Sequence, residues 1–409
     1  MKSKASRATS RRHSDDRRSP DCSSARQTEC AGGMISLRFS FGDKDLMSSK
    51  QSPLEQRIIA RIEREGPITF RDFMLAALYD PDYGYYNTGR VKIGVEGDYY
   101  TSGNVHPAFG AIMARCAVEL WGQVSEGPLT LVEMGAGTGQ LALDILTALA
   151  EEHARQAGVV RYIIIETSPA MRASQRQKLG AFEGRVEWRD LEVIERSPLE
   201  AILFSNELFD ALPVHRLRLS CAKLEESYLT ASSNRLRFTW KDTSTERLAR
   251  YLQAMQVVLS EGQVIEVGLD AIELLARVSR AIGRGYLITI DYGDVAGHLY
   301  SPERRLGTLR SFYRHRMIES PLERVGEQDI TASVNFTALI EYGRQFGLET
   351  VSYERQSAFL FRMGLIERIA AMGENQTLDD LKSRLAIKNL FVPGGVSDNF
   401  RVLIQRKRG

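Results

Sequence analysis

Read for the spacing of its apolar positions, the chain changes character three times. Residues 1–50 are rich in Ser and Arg, hold few large apolar side chains and show no sustained period. Such a stretch buries too little surface to offset chain entropy, so a disordered tail is predicted over 1–50. Order is predicted from Ser52, where Ser52-Pro53-Leu54-Glu55 has the form of a capping box with proline at the first helical position. Leu54, Ile58, Ile59 and Ile62 then recur at helical spacing, and Gly66-Pro67 ends the helix. Thr69-Phe70-Arg71-Asp72 starts a second helix that closes at Asp80-Pro81. A segment from Tyr83 to Gly103 follows, too polar for a core and too aromatic for a plain linker. Gly84, Gly89, Gly94, Gly97 and Gly103 punctuate it, so 51–128 reads as a helical segment carrying a lid.

From Leu129 short apolar runs alternate with helical patterns. Leu129–Met134, Tyr162–Ile165, Val186–Trp188, Ala201–Phe204 and Tyr286–Ile290 read as strands, and Leu141–Ala150 as a helix. This alternation predicts βαβ units and a parallel sheet. Between the fourth and fifth strands, about 214–262, the runs His215–Ser220, Lys223–Leu229 and Arg235–Trp240 alternate as antiparallel strands do, which marks an insertion. Phe400–Gln405 is expected to join the sheet at its edge. The fold class is therefore α/β, Rossmann-like, with 129–409 as the sheet domain.

Composition narrows the classes. With 409 residues, 43% hydrophobic and 26% charged, the chain can build a large core. A net charge of +2 gives no field that would drive it onto nucleic acid, and no apolar run is long enough to span a membrane. Cys22, Cys30, Cys116 and Cys221 are scattered, so neither a disulfide framework nor a structural zinc is expected, and a reducing compartment is the natural reading. The Ser/Arg-rich start leaves two readings open: a transit peptide, against which Asp15 and Asp16 argue, or a true first residue at Met34 or Met47.

The strongest chemical signal is Glu133-Met134-Gly135-Ala136-Gly137-Thr138-Gly139, which follows a strand and opens a helix. Glycines there permit a tight turn and close approach of a ligand to the backbone, and the helix start favours an anionic group. The dinucleotide fingerprint would need a sixth-position glycine, where Gln140 stands. The G-x-G-x-G spacing, with Glu133 at the strand end, favours S-adenosylmethionine (SAM) over NAD. Glu166 caps the next strand, where a carboxylate can accept both ribose hydroxyls. Asp190, with Glu187 close by, stands at the level of an adenine contact. Asn206, Glu207 and Asp210 follow the fourth strand, at the end that faces the crevice in such sheets. They are candidates to hold a substrate amine or guanidine, or Asn206 caps a following helix with the acids in its first turn. His215 is a weaker candidate for taking up a proton, since a lone histidine opening a strand is more often structural.

Several motifs in order resemble the MidA-type SAM-dependent methyltransferases, a family that includes a mitochondrial complex I assembly factor that methylates a protein arginine. They are Asp80-Pro81-Asp82-Tyr83-Gly84-Tyr85-Tyr86, Gly97-Asp98-Tyr99-Tyr100-Thr101-Ser102, Phe109-Gly110, Leu131 to Gly135, Glu166-Thr167-Ser168-Pro169, Asn206 to Val214, Ile290-Asp291-Tyr292-Gly293 and Gly326 to Ala332, with Asn335-Phe336 behind. The resemblance spans about residue 52 to the C-terminus. It implies a class I SAM-dependent methyltransferase sheet, with Gly97, Asp98 and Thr101 lining the site and the 214–262 insertion forming a substrate wall. Two positions depart from the family: Thr138 stands where Arg is frequent, and Gly103-Asn104 where Pro-Glu is usual. The expectation is an enzyme acting on an arginine of a protein substrate, a respiratory complex I subunit on the strength of the resemblance. A small-molecule N- or O-methyltransferase and a non-catalytic assembly chaperone remain alternatives, as does a homodimer. Bacterial cytoplasm is the expected location, the mitochondrial matrix the alternative.

Overall fold

Runs of residues buried on both faces build the centre of the molecule. The computed structural model describes residues 51–88, 106–371, 384–388, 390–391 and 399–409. Numbered within the central sheet, the strands are β1 (Thr130–Met134), β2 (Arg161–Ile165), β3 (Val186–Trp188), β4 (Leu199–Asn206), β5 (Ile282–Asp294), β6 (Leu348–Arg355) and β7 (Phe400–Lys407). They lie in the order β3-β2-β1-β4-β5-β7-β6. The first five are parallel, and β7 runs antiparallel to both its neighbours.

Alternate side chains of each strand enter opposite cores. Leu131, Tyr162, Ile164, Ile202, Phe204 and Ile288 join one core with helices α3 (Pro107–Trp121) and α4 (Gln140–Glu152). Val132, Met134, Ile163, Leu203, Leu287 and Leu403 join the other, with the helices Leu269–Ala281 and Phe336–Gln345. Three layers result, helix–sheet–helix. The chain winds outward from β1 to β3, then returns to β4 on the other side of β1. That reversal leaves a crevice beyond the carboxyl ends of β1 and β4.

The N-terminal helices form as their caps dictate. In α1 (Pro53–Glu65) the Ser52 hydroxyl accepts from the Glu55 amide, and Gly66 ends the helix at φ +87°. In α2 (Phe70–Tyr79) Thr69 accepts from the Asp72 amide. Their apolar faces, with Leu54, Ile58, Phe70 and Phe73, pack on Leu229, Leu236 and Val214 of the insertion. The insertion sheet holds His215–Ser220, Lys223–Ser232 and Arg235–Asp242 as antiparallel strands. It extends beyond the predicted limit of 262, because Val264–Val267 pairs with His215–Arg218, and Ile68–Thr69 adds a fifth strand.

The expectation for the last strand is overturned. Phe400–Lys407 lies inside the sheet, and β6 takes the edge. The physical reason is burial: six successive residues of β7 are buried, which requires a neighbour on both sides, whereas β6 is largely polar and half-exposed.

Candidate functional site

The turn after β1 is bare backbone held in left-handed conformations. Gly135, Gly137 and Gly139 have φ of +67°, +51° and +79°, values that L side chains rarely adopt. The Gly135 amide donates to the Ile165 carbonyl at 3.0 Å, tying the turn to the end of β2. Gly139 is the N-cap of α4 and supplies no side-chain acceptor, so the first amides of the helix are left for a ligand.

Glu166 stands one strand over and is buried, with one carboxylate oxygen accepting from the Ser168 amide at 2.9 Å and the other from Gln175 Nε2 at 3.1 Å. Burial raises its pKa, opposed by these donors. Asp190 lies on the rim: its side chain is 69% exposed and pairs with Arg172, which also donates to the Glu166 carbonyl. Glu187, the competing acid, is held between Arg161 and Arg189. Glu133 is buried at the base of the turn, where the Tyr162 hydroxyl donates to it at 2.6 Å. Burial pushes its carboxyl up to about 7.

The loop after β4 closes the other side. No helix follows Asn206, so the capping alternative falls. Glu207 instead takes φ +54°, a strained conformation for a residue with a side chain. Its amide donates to the Ile290 carbonyl, and Asn206 Nδ2 donates to its carboxylate at 3.1 Å. A methyl-sized atom on Gly135 would come within 2.9 Å of Leu208 Cδ1, so this loop rests directly on the glycine turn. Asp291, at the end of β5, accepts from the amides of Leu208 (3.1 Å), Phe209 (2.8 Å) and Tyr292 (2.7 Å). It is fully buried, and desolvation carries its pKa up to about 7 against those donors. Asp210 is driven well above the usual carboxylate range, by desolvation first and then by Asp291, Glu207 and Asp329.

Residues far apart in sequence cross this end of the sheet. The Tyr79 hydroxyl donates to the Ala211 carbonyl at 3.1 Å, the Tyr86 hydroxyl to Asp329 at 2.9 Å, and the Ser168 hydroxyl to the Tyr86 carbonyl at 3.1 Å. Sequence reasoning assigned no role to Tyr79, Tyr86, Asp329 or Gln175, and spacing offers no signal for contacts such as Tyr86–Asp329. Asp291 had a signal, as an acid ending an apolar strand. His215 is not in the cluster: it is buried in the insertion sheet with Nδ1 2.7 Å from Glu226. Thr138 receives a long contact from Lys178 Nζ at 3.4 Å. Gly97, Asp98, Thr101 and Asn104 lie outside the described residues.

The bare turn, a buried carboxylate one strand away and the acids grouped at the ends of β4 and β5 are chemistry suited to a cationic nucleoside. The comparisons agree. A family model described as S-adenosyl-L-methionine-dependent methyltransferase matches residues 112–354, more than half of the chain. A Burkholderia thailandensis protein solved with S-adenosyl-homocysteine superposes with a TM-score of 0.79 at 28% identity, covering 88% of this chain and 95% of that one. The mitochondrial protein arginine methyltransferase NDUFAF7 homologue of Drosophila melanogaster is 27% identical over 370 residues, 81% of this chain and 80% of its own. Its counterpart in Mus musculus is 25% identical over 364 residues, 82% of this chain and 79% of its own. The chain belongs to the MidA-type family of S-adenosyl-L-methionine-dependent methyltransferases.

Proposed function

We propose that the protein transfers the methyl group of SAM to an arginine of a protein substrate. The observation that carries this reading is the placement of Glu207 and Asp210 on the loop after β4, which Asp291 anchors and whose Leu208 rests against the glycine turn. SAM supplies an activated methyl on a sulfonium, so the residues of the chain mainly align and neutralise charge. The glycine turn and the start of α4 would hold the amino-acid end of SAM, Glu166 its ribose, and Asp190 the adenine side. Glu207, oriented by Asn206, would hold the guanidinium, whose pKa exceeds about 12, so that its charge rests on the nitrogens away from the methyl. The nitrogen that gains a carbon loses a proton. Asp210, half-buried beside Glu207 and Asp291, would receive it in its ionised form, which a bound sulfonium favours.

The names of the relatives support the acceptor: several are protein arginine methyltransferases of mitochondria. They favour the mitochondrial alternative over the bacterial cytoplasm, and a complex I subunit is the substrate that the family resemblance implies. The test is incubation with methyl-labelled SAM and purified complex I subunits or arginine peptides, followed by acid hydrolysis. The expected product is labelled methylarginine. Label confined to lysine or to a small molecule overturns the reading.

A further inference from the structure

We infer that Gln175, in helix α5 (Pro169–Lys178), is a positioning residue that locks the glycine turn and the ribose-binding carboxylate into one rigid unit. Its side chain is fully buried and makes three hydrogen bonds. Nε2 donates to the Gly137 carbonyl at 2.8 Å and to Glu166 Oε2 at 3.1 Å, while Oε1 accepts from Trp188 Nε1 at 2.9 Å. The indole donor settles which way round the amide lies, because a flipped amide would set NH2 against N–H. The Arg176 guanidinium covers the Trp188 ring at 4.4 Å and holds it in place. The approach is tight: a Cβ on Gly139 would sit 3.2 Å from Gln175 Cγ. Gly139 therefore serves the amide's access as well as the turn.

One amide thus spans three strands' ends, through Gly137 after β1, Glu166 after β2 and Trp188 at the end of β3. The carbonyl of Gly137 and the carboxylate of Glu166 both lie beyond the carboxyl ends of their strands, β1 and β2. Fixing their separation fixes the distance between the amino-acid end and the sugar of a bound cofactor. The inference rests on Glu166 holding the ribose.

The arrangement also sets when Glu166 is ionised. Burial raises its pKa, and Gln175 is among the donors that lower it. The other groups facing Glu166 are Arg172 from α5, Glu133 from β1 and Tyr79 from α2. A carboxylate that accepts two hydroxyls must be ionised, so affinity falls as pH drops through its pKa. Without Gln175 that fall should begin at higher pH.

The experiment is calorimetric titration of the full chain with S-adenosyl-homocysteine from pH 5 to 8, for wild type, Gln175→Glu, Gln175→Leu, Trp188→Phe, Glu166→Ala and the Glu166→Ala/Gln175→Leu pair. Gln175→Glu keeps the shape and the Trp188 contact, loses both donors and sets a second acid beside Glu166. Both Gln175 variants should weaken binding about tenfold or more at pH 7, with the acid limb moved to higher pH. Trp188→Phe, which leaves the amide unanchored, should show a smaller loss of the same kind. The double variant should lose less than the sum of the two single losses, because part of the amide's action passes through that carboxylate while its bond to the Gly137 carbonyl does not. If Glu166→Ala binds normally, the ribose reading fails and the inference with it. If Glu166→Ala weakens binding while Gln175→Glu binds as wild type with an unmoved pH profile, the role of Gln175 alone is overturned.

Discussion

Gly135 and Glu207 show how much of the site depends on single backbone conformations. Gly135 sits at φ +67° with Leu208 packed where a side chain would begin. Valine there meets two obstacles: left-handed backbone costs an L residue about 1–2 kcal/mol and more when β-branched, and Leu208 must move. Gly135→Val should therefore abolish S-adenosyl-homocysteine binding in calorimetry, and normal binding would remove this turn from the site. Glu207 carries the same kind of strain with a side chain attached, at φ +54°. Strain that persists beside a cofactor turn implies that the carboxylate is needed where the strain puts it. Glu207→Gln keeps shape and takes away charge. It should lower turnover about 10–100-fold, as expected for losing a charged hydrogen bond, and leave cofactor affinity alone. Turnover equal to wild type would exclude Glu207 from holding the acceptor.

At the scale of elements, Asp291 acts on the whole loop after β4. Its two oxygens collect three amides, two of them from that loop, and so hold Glu207 and Asp210 in register with β5. Asparagine offers one acceptor oxygen, so Asp291→Asn must abandon either Tyr292 or the loop. The expected result is a turnover loss of about tenfold or more with S-adenosyl-homocysteine affinity largely retained; equal losses in both would mean that the loop and the glycine turn move as one. Legibility in the sequence follows the same division. Strands whose residues are buried on both faces, such as Tyr162–Ile165 and Ala201–Phe204, could be read from their apolar runs, and caps such as Ser52 and Thr69 from local chemistry. β6, polar and at the edge, has no such run, and that is why β7 was expected in its place. Strand ends were read short for a related reason: β4 and β5 continue into Asn206 and Asp294, where polar residues enter the crevice and break the apolar pattern. Glu166 and Glu207 stood out as acids at strand ends, whereas Gln175 and Tyr86 act through contacts that only folding creates.

For the molecule as a whole, carboxyls raised by burial have a thermodynamic signature. Glu133 and Asp291 are pushed from ordinary values to about 7, and Asp210 is raised as well, all with burial as the largest cause. Between about pH 4 and 7 the native state therefore holds protons that the unfolded chain has released. Where the folded state binds more protons, stability falls as pH rises. Their contribution is fully present below about pH 4 and is lost as pH rises through 7. Carboxylates lowered by arginine partners, such as Glu187, work in the opposite direction but at more acid pH. His106, lowered by burial, opposes the trend just below neutrality as one half-buried group against three raised carboxyls. Urea unfolding without ligand should then give a lower stability at pH 8 than at pH 5, and a stability that climbs steadily over that range would show that these carboxyls are not raised in the folded state. Ligands separate the cause. SAM carries a sulfonium charge that S-adenosyl-homocysteine lacks, so it should favour the ionised cluster. Its stabilisation, compared with that of S-adenosyl-homocysteine at equal saturation, should grow from pH 5 to pH 8 and be accompanied by proton release measurable as a buffer-dependent heat of binding.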